Sequence, residues 1–420
     1  MARLLIIADD FTGALDTGVQ LSQKGITTQV VVHKTMDWNA LNPNAEILVV
    51  DTGSRHLEAQ QAYRRVFELC KQAKKAGIKY FYKKTDSTLR GNIGAELSAL
   101  MDACNLHRLP FIPGYPETGR TTKGGYQYVD GVPLHQTIFA TDPLNPIDDA
   151  YIPNIIKKQS DKTVLVAGKP HIGVEELLAK EKSICVLDSI DELEMEEISK
   201  ELIKKKDITA IAGCAGFARY LDKVFPLKIS QVKRELAYKP ILAVIGSVNQ
   251  VSIGQVQYAE KAGVKSQILD PIKLIDESYI GSPTYRAHIE AAVQGINNHG
   301  CLIIKTVRNR EDVMLVKDEK GTFSKQDLYE GITESIGCLV SEVIKRVKIG
   351  TLLVFGGDTA LGIIHQLSCT SIMPGHEVLT GVPLSTIESS TFNGTLITKA
   401  GGFGKESALI DIMTYVERGK

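Results

Sequence analysis

Short apolar runs alternate along the chain with longer segments of helical period. The first run, residues 4–8, contains no polar side chain and is followed directly by two aspartates. Such a run is typical of a strand that is buried on both faces of a parallel sheet. A predicted helix over about residues 14–24 follows, with Gly25 as its C-terminal stop. Because this order of strand, polar loop and helix recurs, we predict a doubly wound α/β sheet.

The same pattern predicts the other elements of the first half. Strands are predicted at residues 28–32, 47–50, 80–82 and 109–112, and near residues 164, 186 and 210. Helices are predicted over about residues 58–76, 93–105 and 191–206. Residues 113–134 are rich in glycine, proline and tyrosine, which is typical of an irregular lid or binding loop.

The pattern loosens over residues 228–240, where charges mix and no apolar period is kept. The chain has 420 residues, more than one hydrophobic core usually serves. We therefore predict two doubly wound α/β domains with mainly parallel sheets, residues 1–232 and 233–420. In the second domain, strands are predicted at residues 241–245, 267–269, 301–306, 351–355, 383–387 and 396–398, and helices at about residues 252–262, 284–297 and 327–344.

Charged side chains follow three predicted strands of the first domain. They are Asp9 and Asp10, then Asp51 and Arg55, and then Lys84, Asp86 and Arg90. Because ligands on open parallel sheets bind at the carboxyl ends of the strands, we expect these three loops to form one site. The third loop belongs to the stretch Lys83–Asn92, which has three cations, a carboxylate and three hydroxyl groups within ten residues.

This stretch is suited to an anionic, polyhydroxylated ligand. Arginine offers such a ligand a planar fork of donors, and lysine offers a point charge. Arg120, in the predicted lid, is a further candidate contact. The alternative is a solvated loop that opens a helix, with Asp86 or Ser87 as the N-cap.

Three turns of the second domain follow strands and combine glycine with hydroxyl or charged side chains. They contain Gly246 and Ser247, then Gly356, Gly357, Asp358 and Thr359, and finally Lys399, Gly401 and Gly402. Glycine lets backbone N–H groups approach a phosphate, and a following helix adds partial positive charge. Asp358 is a candidate Mg²⁺ ligand, and Lys399 is a candidate partner of a phosphoryl oxygen.

The sequence has no Walker A motif, and its first strand is not followed by the G-x-G-x-x-G turn of dinucleotide-binding folds. An anion-binding domain joined to a phosphate-binding domain instead predicts phosphoryl transfer, with the active site in the interdomain cleft.

Composition and charge exclude several classes of partner. The 49 basic and 49 acidic residues cancel, so no electrostatic surface for nucleic acid or an anionic membrane is expected. The seven cysteines form no C-x-x-C pair, which is typical of reduced thiols in a cytosolic protein. No apolar run approaches the ~20 residues of a membrane span, and the N-terminus lacks a signal-peptide pattern. We therefore expect a cytoplasmic protein.

Seven motifs carry a resemblance to a known family and lie in the order that the family has. They are ADDFTGALDTG from Ala8, DTGSR from Asp51, KKTDSTLRGNIGAE from Lys83, GRTT from Gly119, DGVPL from Asp130, FGGDTA from Phe355 and ITKAGGFG from Ile397. With these motifs the chain closely resembles the four-carbon acid sugar kinases. The resemblance implies an N-terminal sugar-acid domain and a C-terminal ATP domain. It also implies transfer of the γ-phosphoryl group to the 4-hydroxyl of threonate or erythronate.

The resemblance also implies roles for individual residues. Its substrate-binding positions correspond to Asp10, Arg55, Lys84, Thr85, Asp86 and Ser87. The strand-end pattern adds Asp9 and Arg90, and the predicted lid adds Arg120. Its ATP positions correspond to Ser247, the turn of residues 356–359 and the glycines near Gly402, to which Lys399 and Gly401 are added.

A mechanism follows as a hypothesis. Arg55, with Lys84 or Arg90, holds the C1 carboxylate. Asp10 and Asp86 bind the hydroxyl groups, and one of them, Asp86 first, is the base. ATP and Mg²⁺ are the expected cofactors, and most of the catalysis would come from positioning and from Mg²⁺.

Two other functions stay open at this point: an NAD-dependent sugar-acid oxidoreductase and a non-catalytic sugar-acid sensor. The stereoisomer of the acid is also open, as are the choice between the two aspartates and the role of the turn at residues 213–216. The oligomeric state is undetermined, with a homodimer as one option.

Overall fold

The computed structural model describes residues 2–142, 145–167, 182–230, 236–276, 278–307, 325–369 and 371–419. It divides into two compact units, Met1–Val232 and Lys233–Lys420, called here the N-terminal and C-terminal units. Residues 231–235, within the predicted boundary region, lie outside the described residues.

The N-terminal unit contains an eight-stranded parallel sheet. Its strands in chain order are β1 (Leu4–Ala8), β2 (Thr28–Val32), β3 (Ile47–Asp51), β4 (Tyr80–Lys84), β5 (Arg108–Ile112), β9 (Thr163–Ala167), β10 (Ser183–Leu187) and β11 (Ala210–Gly213). The spatial order is β2-β3-β1-β4-β11-β5-β10-β9, and every pairing is parallel. This arrangement confirms the predicted fold class.

Seven described α-helices accompany this sheet, together with five short 3₁₀ helices. The α-helices are α1 (Phe11–Ser22), α2 (Ala59–Lys75), α3 (Ile93–Cys104), α4 (Ile152–Lys157), α5 (Glu192–Lys204), α6 (Ala215–Ala218) and α7 (Leu221–Val224). Leu5 and Ile7 of β1 pack with Val66 of α2 and Leu97 of α3 in one buried cluster. The polar loops at the strand ends are therefore supported by a closely packed core.

The first helix begins three residues earlier than the sequence pattern predicts. Asp10 is its N-cap, and the Asp10 carboxylate accepts a hydrogen bond from the backbone N–H of Gly13 at 3.0 Å. The apolar period becomes visible only at Ala14, whereas the capping bond starts the helix at Phe11. This start places the N-terminus of α1 beside the strand ends.

The predicted irregular lid is an ordered antiparallel sheet, so that prediction of irregular structure was wrong. Its strands are β6 (Arg120–Lys123), β7 (Tyr126–Val129) and β8 (Val132–Pro133). Gly124 and Gly125, both with positive φ, form the tight turn between β6 and β7. The Asp188 carboxylate accepts both of their N–H groups, which fixes the hairpin.

The turn at residues 213–216 allows a close approach of backbones. A Cβ on Gly213 would lie 2.3 Å from the carbonyl oxygen of Ile112, and one on Gly216 would lie 2.8 Å from that of Gly114. The Gly213 carbonyl accepts the N–H of Thr85 at 2.8 Å. Glycine at these positions thus lets β11 end directly beside the Lys83–Asn92 stretch.

The C-terminal unit has a mixed seven-stranded sheet. Its strands are β12 (Ile241–Ile245), β13 (Ser266–Ile268), β14 (Cys301–Lys305), β15 (Thr351–Phe355), β16 (Ser371–Leu379), β17 (Val382–Glu388) and β18 (Asn393–Lys399). The order β13-β14-β12-β15-β18 is parallel, and β17 and β16 continue the sheet antiparallel. The sequence pattern missed β16, because Pro374 and Gly375 interrupt its alternation and its register shifts there.

The described helices of this unit are α8 (Gln250–Lys261), α9 (Pro271–Leu274), α10 (Pro283–His299), α11 (Lys325–Arg346), α12 (Gly357–Gln366) and α13 (Ala408–Glu417). Ile241 and Ile245 of β12 pack with Val256 of α8 and Leu409 of α13. No helix in the described part of either unit combines the length and the apolar composition of a membrane span.

Helices α11 and α12 cross at glycines. A Cβ on Gly337 would lie 2.5 Å from the carbonyl oxygen of Gly362, and a Cβ on Gly362 would lie 2.5 Å from that of Thr333. The two backbones are therefore close enough to exclude any side chain at these positions. Gly254, on α8, has no atom within 4 Å of the corresponding point.

These glycines give a matched pair of stability predictions. Gly337→Ala should lower the free energy of unfolding by about 1–3 kcal/mol, because the added methyl group forces the helices apart. Gly254→Ala should raise it by about 0.5–1 kcal/mol, because alanine costs less backbone entropy in a helix. Urea unfolding of the full chain measures both. Equal effects of the two substitutions would contradict the proposed close contact.

Candidate active site

Three parallel strand ends of the N-terminal unit lie side by side. In the sheet register, Ala8 of β1 is opposite Asp51 of β3 and also opposite Lys84 of β4. The polar residues that follow these strands consequently start from the same edge. The structure thus brings together the three loops that the sequence singled out.

Arg55 lies at the centre of this edge and contacts two aspartates. Its Nε donates to Asp9 Oδ2 at 2.7 Å, and its Nη1 donates to Asp10 Oδ2 at 2.9 Å. Its Nη2 lies 2.8 Å from Asp10 Oδ1 and 3.8 Å from Asp86 Oδ1. Every nitrogen of this guanidinium is therefore already close to a carboxylate of the protein.

Arg90 is likewise paired with two carboxylates of the protein. It binds Asp86 through Nε at 2.7 Å and through Nη2 at 3.3 Å, and its Nη1 donates to Asp142 at 3.1 Å. Its guanidinium also lies over the Phe139 ring, 5.4 Å from the ring centroid. Thr88 donates a further hydrogen bond to Asp86 at 2.5 Å.

These ion pairs decide the charge of the aspartates. Burial by itself would raise the pKa of Asp86, but the guanidinium groups of Arg90 and Arg55 outweigh it and hold this pKa well below its usual range. Burial also opposes ionisation of Asp9, and Arg55 together with Lys83 and Lys84 lowers its pKa nonetheless. Both carboxylates are therefore ionised at neutral pH.

Two adjacent lysines have different surroundings. Lys83 is fully buried, lies 3.0 Å from Glu96, and donates to the carbonyl oxygens of Ile7 at 3.1 Å and of Lys84 at 2.6 Å. Lys84 is 4% exposed, and among the described residues its ammonium has no hydrogen bond and no carboxylate within 4 Å. A Cβ on Gly13 would lie 2.8 Å from Lys84 Nζ, so this ammonium lies beside the first turn of α1.

Three buried polar atoms near this edge lack hydrogen-bond partners within the described part of the chain. They are Asp9 Oδ1, Asp51 Oδ2 and Thr85 Oγ1. Buried polar atoms in proteins are nearly always paired, so a group of unpaired ones indicates a place where a ligand or water supplies the partner. The sequence pattern placed Asp51 at a strand end but assigned it no role, and the structure shows that one of its buried oxygens lacks a partner.

Ser87 and Arg120 connect this edge to the small antiparallel sheet. The Ser87 carbonyl accepts from Gln127 Nε2 at 2.8 Å, and the same amide donates to the carbonyl of Pro113 at 3.3 Å. Arg120 is buried on β6 and donates to the carbonyl of Thr118. Burial lowers the pKa of Arg120, and the nearby carboxylates of Asp130 and Asp86 oppose this effect.

Three parallel strand ends also meet in the C-terminal unit. Phe355 of β15 is opposite Ile245 of β12 and Lys399 of β18 in the register. The N–H of Ser247 donates to the Phe355 carbonyl at 3.2 Å, and the N–H of Gly356 donates to the Lys399 carbonyl at 3.1 Å. These bonds tie the three glycine-containing turns together.

Helix α12 begins at this edge. Its N-cap is Gly356, with φ of +112° and no side-chain cap, so the first-turn N–H groups are available to an anion. Asp358 is exposed in this first turn, whereas Thr359 is buried. A Cβ on Gly246 would lie 2.0 Å from Thr359 Oγ1, which explains why glycine precedes Ser247.

The last turn is built around the ammonium of Lys399. Its Nζ donates to the carbonyls of Ala400 and Phe403, each at 3.0 Å, and of Gly401 at 3.3 Å. It also lies 4.4 Å from the centroid of the Phe355 ring. Burial lowers the pKa of Lys399 to about 7. These contacts stabilise the turn that carries Gly401 and the half-buried Gly402, and a contact with phosphate stays a prediction.

Two buried residues of α8 support this turn and were missed by sequence reasoning. Ser252 Oγ donates to the Gly401 carbonyl at 3.1 Å. Gln255 Nε2 donates to the carbonyls of Phe403 at 3.0 Å and Lys405 at 2.8 Å. Their signal is a pair of polar side chains, three residues apart, on the inward face of an otherwise amphipathic helix.

Among the described residues, no group of three or more histidine, cysteine or acidic side chains could hold a metal ion. Asp358 lies in the first turn of α12, which has no side-chain cap.

Two family models match this chain, one in each of the two units. A family model described as a sugar-binding N-terminal domain matches residues 4–221, and one described as a nucleotide-binding C-terminal domain matches residues 242–409. The D-threonate kinase of Salmonella typhimurium is 32% identical over 99% of this chain and 98% of its own length. The D-erythronate kinase of Heliobacterium modesticaldum is 26% identical over 99% of this chain and 97% of its own. The 3-oxo-tetronate kinase of Methylobacterium radiotolerans is 27% identical over 95% of each.

Solved structures share the fold. One from Salmonella typhimurium LT2 has a TM-score of 0.80 at 22% identity and covers 98% of this chain and 99% of that chain. Haemophilus influenzae protein HI1011 has a TM-score of 0.69 at 22% identity, covering 98% and 100%. With both domain models matched and whole-length relatives of this kind, the chain belongs to the four-carbon acid sugar kinase family.

Proposed function

We propose that this protein is an ATP-dependent kinase that phosphorylates the 4-hydroxyl of a four-carbon sugar acid, D-threonate or D-erythronate. The relatives named as D-threonate, D-erythronate and 3-oxo-tetronate kinases support the substrate class. The observation that carries the proposal is the ammonium of Lys84, which makes no hydrogen bond or close ion pair with a described residue and whose charge acts on the ionised carboxylates of Asp9 and Asp86. Such a site suits a ligand with one carboxylate and several hydroxyl groups.

Lys84 is the cation that we assign to the C1 carboxylate. Its charge acts on the carboxylates of Asp9 and Asp86, and a bound carboxylate would add the direct ion pair that the ammonium does not make with any described residue. The N-terminus of α1 adds partial positive charge to the same place. Arg55 and Arg90 instead hold Asp9, Asp10 and Asp86 in position, so their contribution to carboxylate binding is secondary.

Asp86 and Asp10 are the carboxylates that we assign to the hydroxyl groups. Because its pKa is held low, Asp86 stays ionised and accepts a hydrogen bond from the 4-hydroxyl as this attacks the γ-phosphorus. A weakly basic carboxylate orients the hydroxyl more than it removes the proton. Asp10 is the second candidate for this role.

The C-terminal unit is assigned to ATP. The N–H groups at the start of α12 and the turn at Ser247 suit its phosphates. Mg²⁺ in nucleotide sites takes one or two carboxylates and completes its shell with water and phosphate oxygens. The exposed Asp358 fits that donor set, and bound Mg²⁺ would neutralise charge on the phosphates.

A coupled assay of ADP release with D-threonate, D-erythronate and 3-oxo-tetronate tests this function. We expect Mg²⁺-dependent ADP release with at least one acid. Tight binding of an acid without ADP release would favour a sensor, and acid-dependent reduction of NAD would favour an oxidoreductase. Either result would contradict the proposal.

Removal of the Lys84 ammonium tests the carboxylate assignment. Lys84→Met should raise the dissociation constant of the acid about 10- to 100-fold, because a charge-assisted hydrogen bond is lost. The dissociation constant of ATP should stay within about twofold, since ATP is assigned to the other unit. Isothermal titration calorimetry measures both. Lys79→Met, at the exposed start of the same strand region, is the control and should change neither value.

Asp86→Asn tests the proposed partner of the 4-hydroxyl. The substitution should lower kcat by about 10²–10⁴-fold, because the 4-hydroxyl loses both the carboxylate that orients it and the acceptor of its proton. Asp142→Asn is the matched control, because it removes the other carboxylate partner of Arg90 without touching Asp86. Steady-state kinetics of the three proteins give the comparison. Near wild-type turnover of Asp86→Asn would transfer the role to Asp10.

Asp51 gives the protein a pH-dependent stability. Burial, opposed by the Gly53 N–H and reinforced by Asp10 and Asp9, raises its pKa from 3.8 to about 7. Between these values the folded protein retains a proton that the unfolded chain has lost, so the free energy of unfolding falls as pH rises.

Asp51→Asn should therefore gain stability relative to the wild type as pH increases from about 4 to about 7, by about 4 kcal/mol at most, with no further change above. Urea unfolding across this range measures the difference. Asp161→Asn, whose side chain is 95% exposed, should give a flat difference. A flat difference for Asp51→Asn as well would refute the shift.

A further inference from the structure

The loop of residues 52–57 presents Arg55 to the strand-end site. Its own hydrogen bonds tie it to β1, because the Thr52 hydroxyl donates to the carbonyl of Ala8 at 2.6 Å. The hydroxyls of Thr52 and Ser54 lie 2.7 Å apart. The backbone N–H groups of Ser54 and Arg55 also donate to the Asp9 carbonyl, at 3.0 Å and 3.2 Å, so side-chain contacts are what hold the outer part of the loop.

Glu96 holds Ser54 from helix α3. The Ser54 hydroxyl donates to the Glu96 carboxylate, and both side chains are fully buried. Burial raises the pKa of Glu96, and the ammonium of Lys83 opposes this effect. A buried carboxylate therefore bonds the residue directly before Arg55.

Lys83 fixes Glu96 in turn. Its Nζ lies 3.0 Å from Glu96 Oε2 and donates to the carbonyls of Ile7 and Lys84. The pair thus links α3 to β1 and β4, the two strands that end beside Arg55. None of these groups reaches the open face of the site, since both side chains have 0% exposure.

Asn92 and Gly91 hold the far side of the same loop. Asn92 Nδ2 donates to the carbonyls of Ser54 at 3.0 Å and Leu57 at 2.7 Å. Gly91 has φ of +88°, and a Cβ there would lie 3.1 Å from Arg55 Cγ. Arg55 is consequently enclosed by contacts from the segment between Lys83 and Glu96.

We infer that Glu96 and Asn92 are positioning residues for Arg55, acting through Ser54 and the loop backbone, with Lys83 holding Glu96 in place. By fixing Arg55 they fix the Asp9 and Asp10 carboxylates relative to Lys84. The inference rests on the proposed function only for its kinetic readout, because the contacts themselves involve no substrate.

Separate variants distinguish positioning from stability. Ser54→Ala deletes the hydroxyl link and leaves the Lys83–Glu96 pair intact, so it should raise KM for the acid about 10-fold with little loss of melting temperature. Asn92→Ala should act in the same direction. Glu96→Gln removes the charge but keeps a hydrogen-bonding group for Ser54, so it should lower the melting temperature with KM for the acid within about threefold. KM for ATP should stay within about twofold throughout.

Leu100→Ala is the matched control for stability. Leu100 lies in the core on the same helix, so its truncation should lower the melting temperature and leave KM for the acid unchanged. A KM for the acid that follows melting temperature across the four variants would overturn the inference. Wild-type KM for the acid in both Ser54→Ala and Asn92→Ala would overturn it as well.

Amide hydrogen exchange gives a readout that needs no substrate. Peptides covering residues 52–57 should exchange about 10-fold faster in Ser54→Ala and Asn92→Ala, and at the wild-type rate in Glu96→Gln. Failure of the proposed function would appear as a wild-type protein without turnover and leave this exchange pattern intact. Unchanged exchange in Ser54→Ala and Asn92→Ala would overturn the positioning role, whatever the activity.

Discussion

The distribution of carboxylates around Arg55 decides how the N-terminal site works. Arg55 contacts Asp9 and Asp10, and Arg90 contacts Asp86 and Asp142. Both guanidinium groups of the site are therefore already paired within the protein. Lys84 remains the buried cation without a partner in the described residues. The ion pairs keep the aspartates charged and oriented, and Lys84 is the cation that we propose for an anionic ligand.

In the C-terminal unit, backbone N–H groups are the main candidates for binding an anion. The ammonium of Lys399 donates hydrogen bonds to the carbonyl oxygens of its own turn. The groups that we propose for a phosphate are therefore the N–H groups at the start of α12 and side chains such as Ser247. In each unit a buried lysine is the last residue of a parallel strand: Lys84 of β4 and Lys399 of β18. Lys84 is proposed to bind a ligand, whereas Lys399 stabilises its own turn.

The sequence predicted the parts of this structure that depend on local pattern. The parallel strands of both units, their polar ends and the glycine turns follow from short apolar runs and from residues with unusual backbone freedom. The partners of individual charges did not follow, because they come from distant segments: Glu96 of α3 pairs with Lys83, and Asp9 pairs with Arg55. The small sheet at residues 120–133 was missed although Gly124 and Gly125 are a local hairpin signal. What could not be predicted is its contact with Asp188, more than 60 residues later.

A crystal structure with bound D-threonate tests the central assignment most directly. The account predicts a carboxylate oxygen of the acid within about 3 Å of Lys84 Nζ, with Arg55 still bound to Asp9 and Asp10. An acid carboxylate held by the Arg55 guanidinium, with Asp10 displaced and Lys84 out of contact, would contradict it.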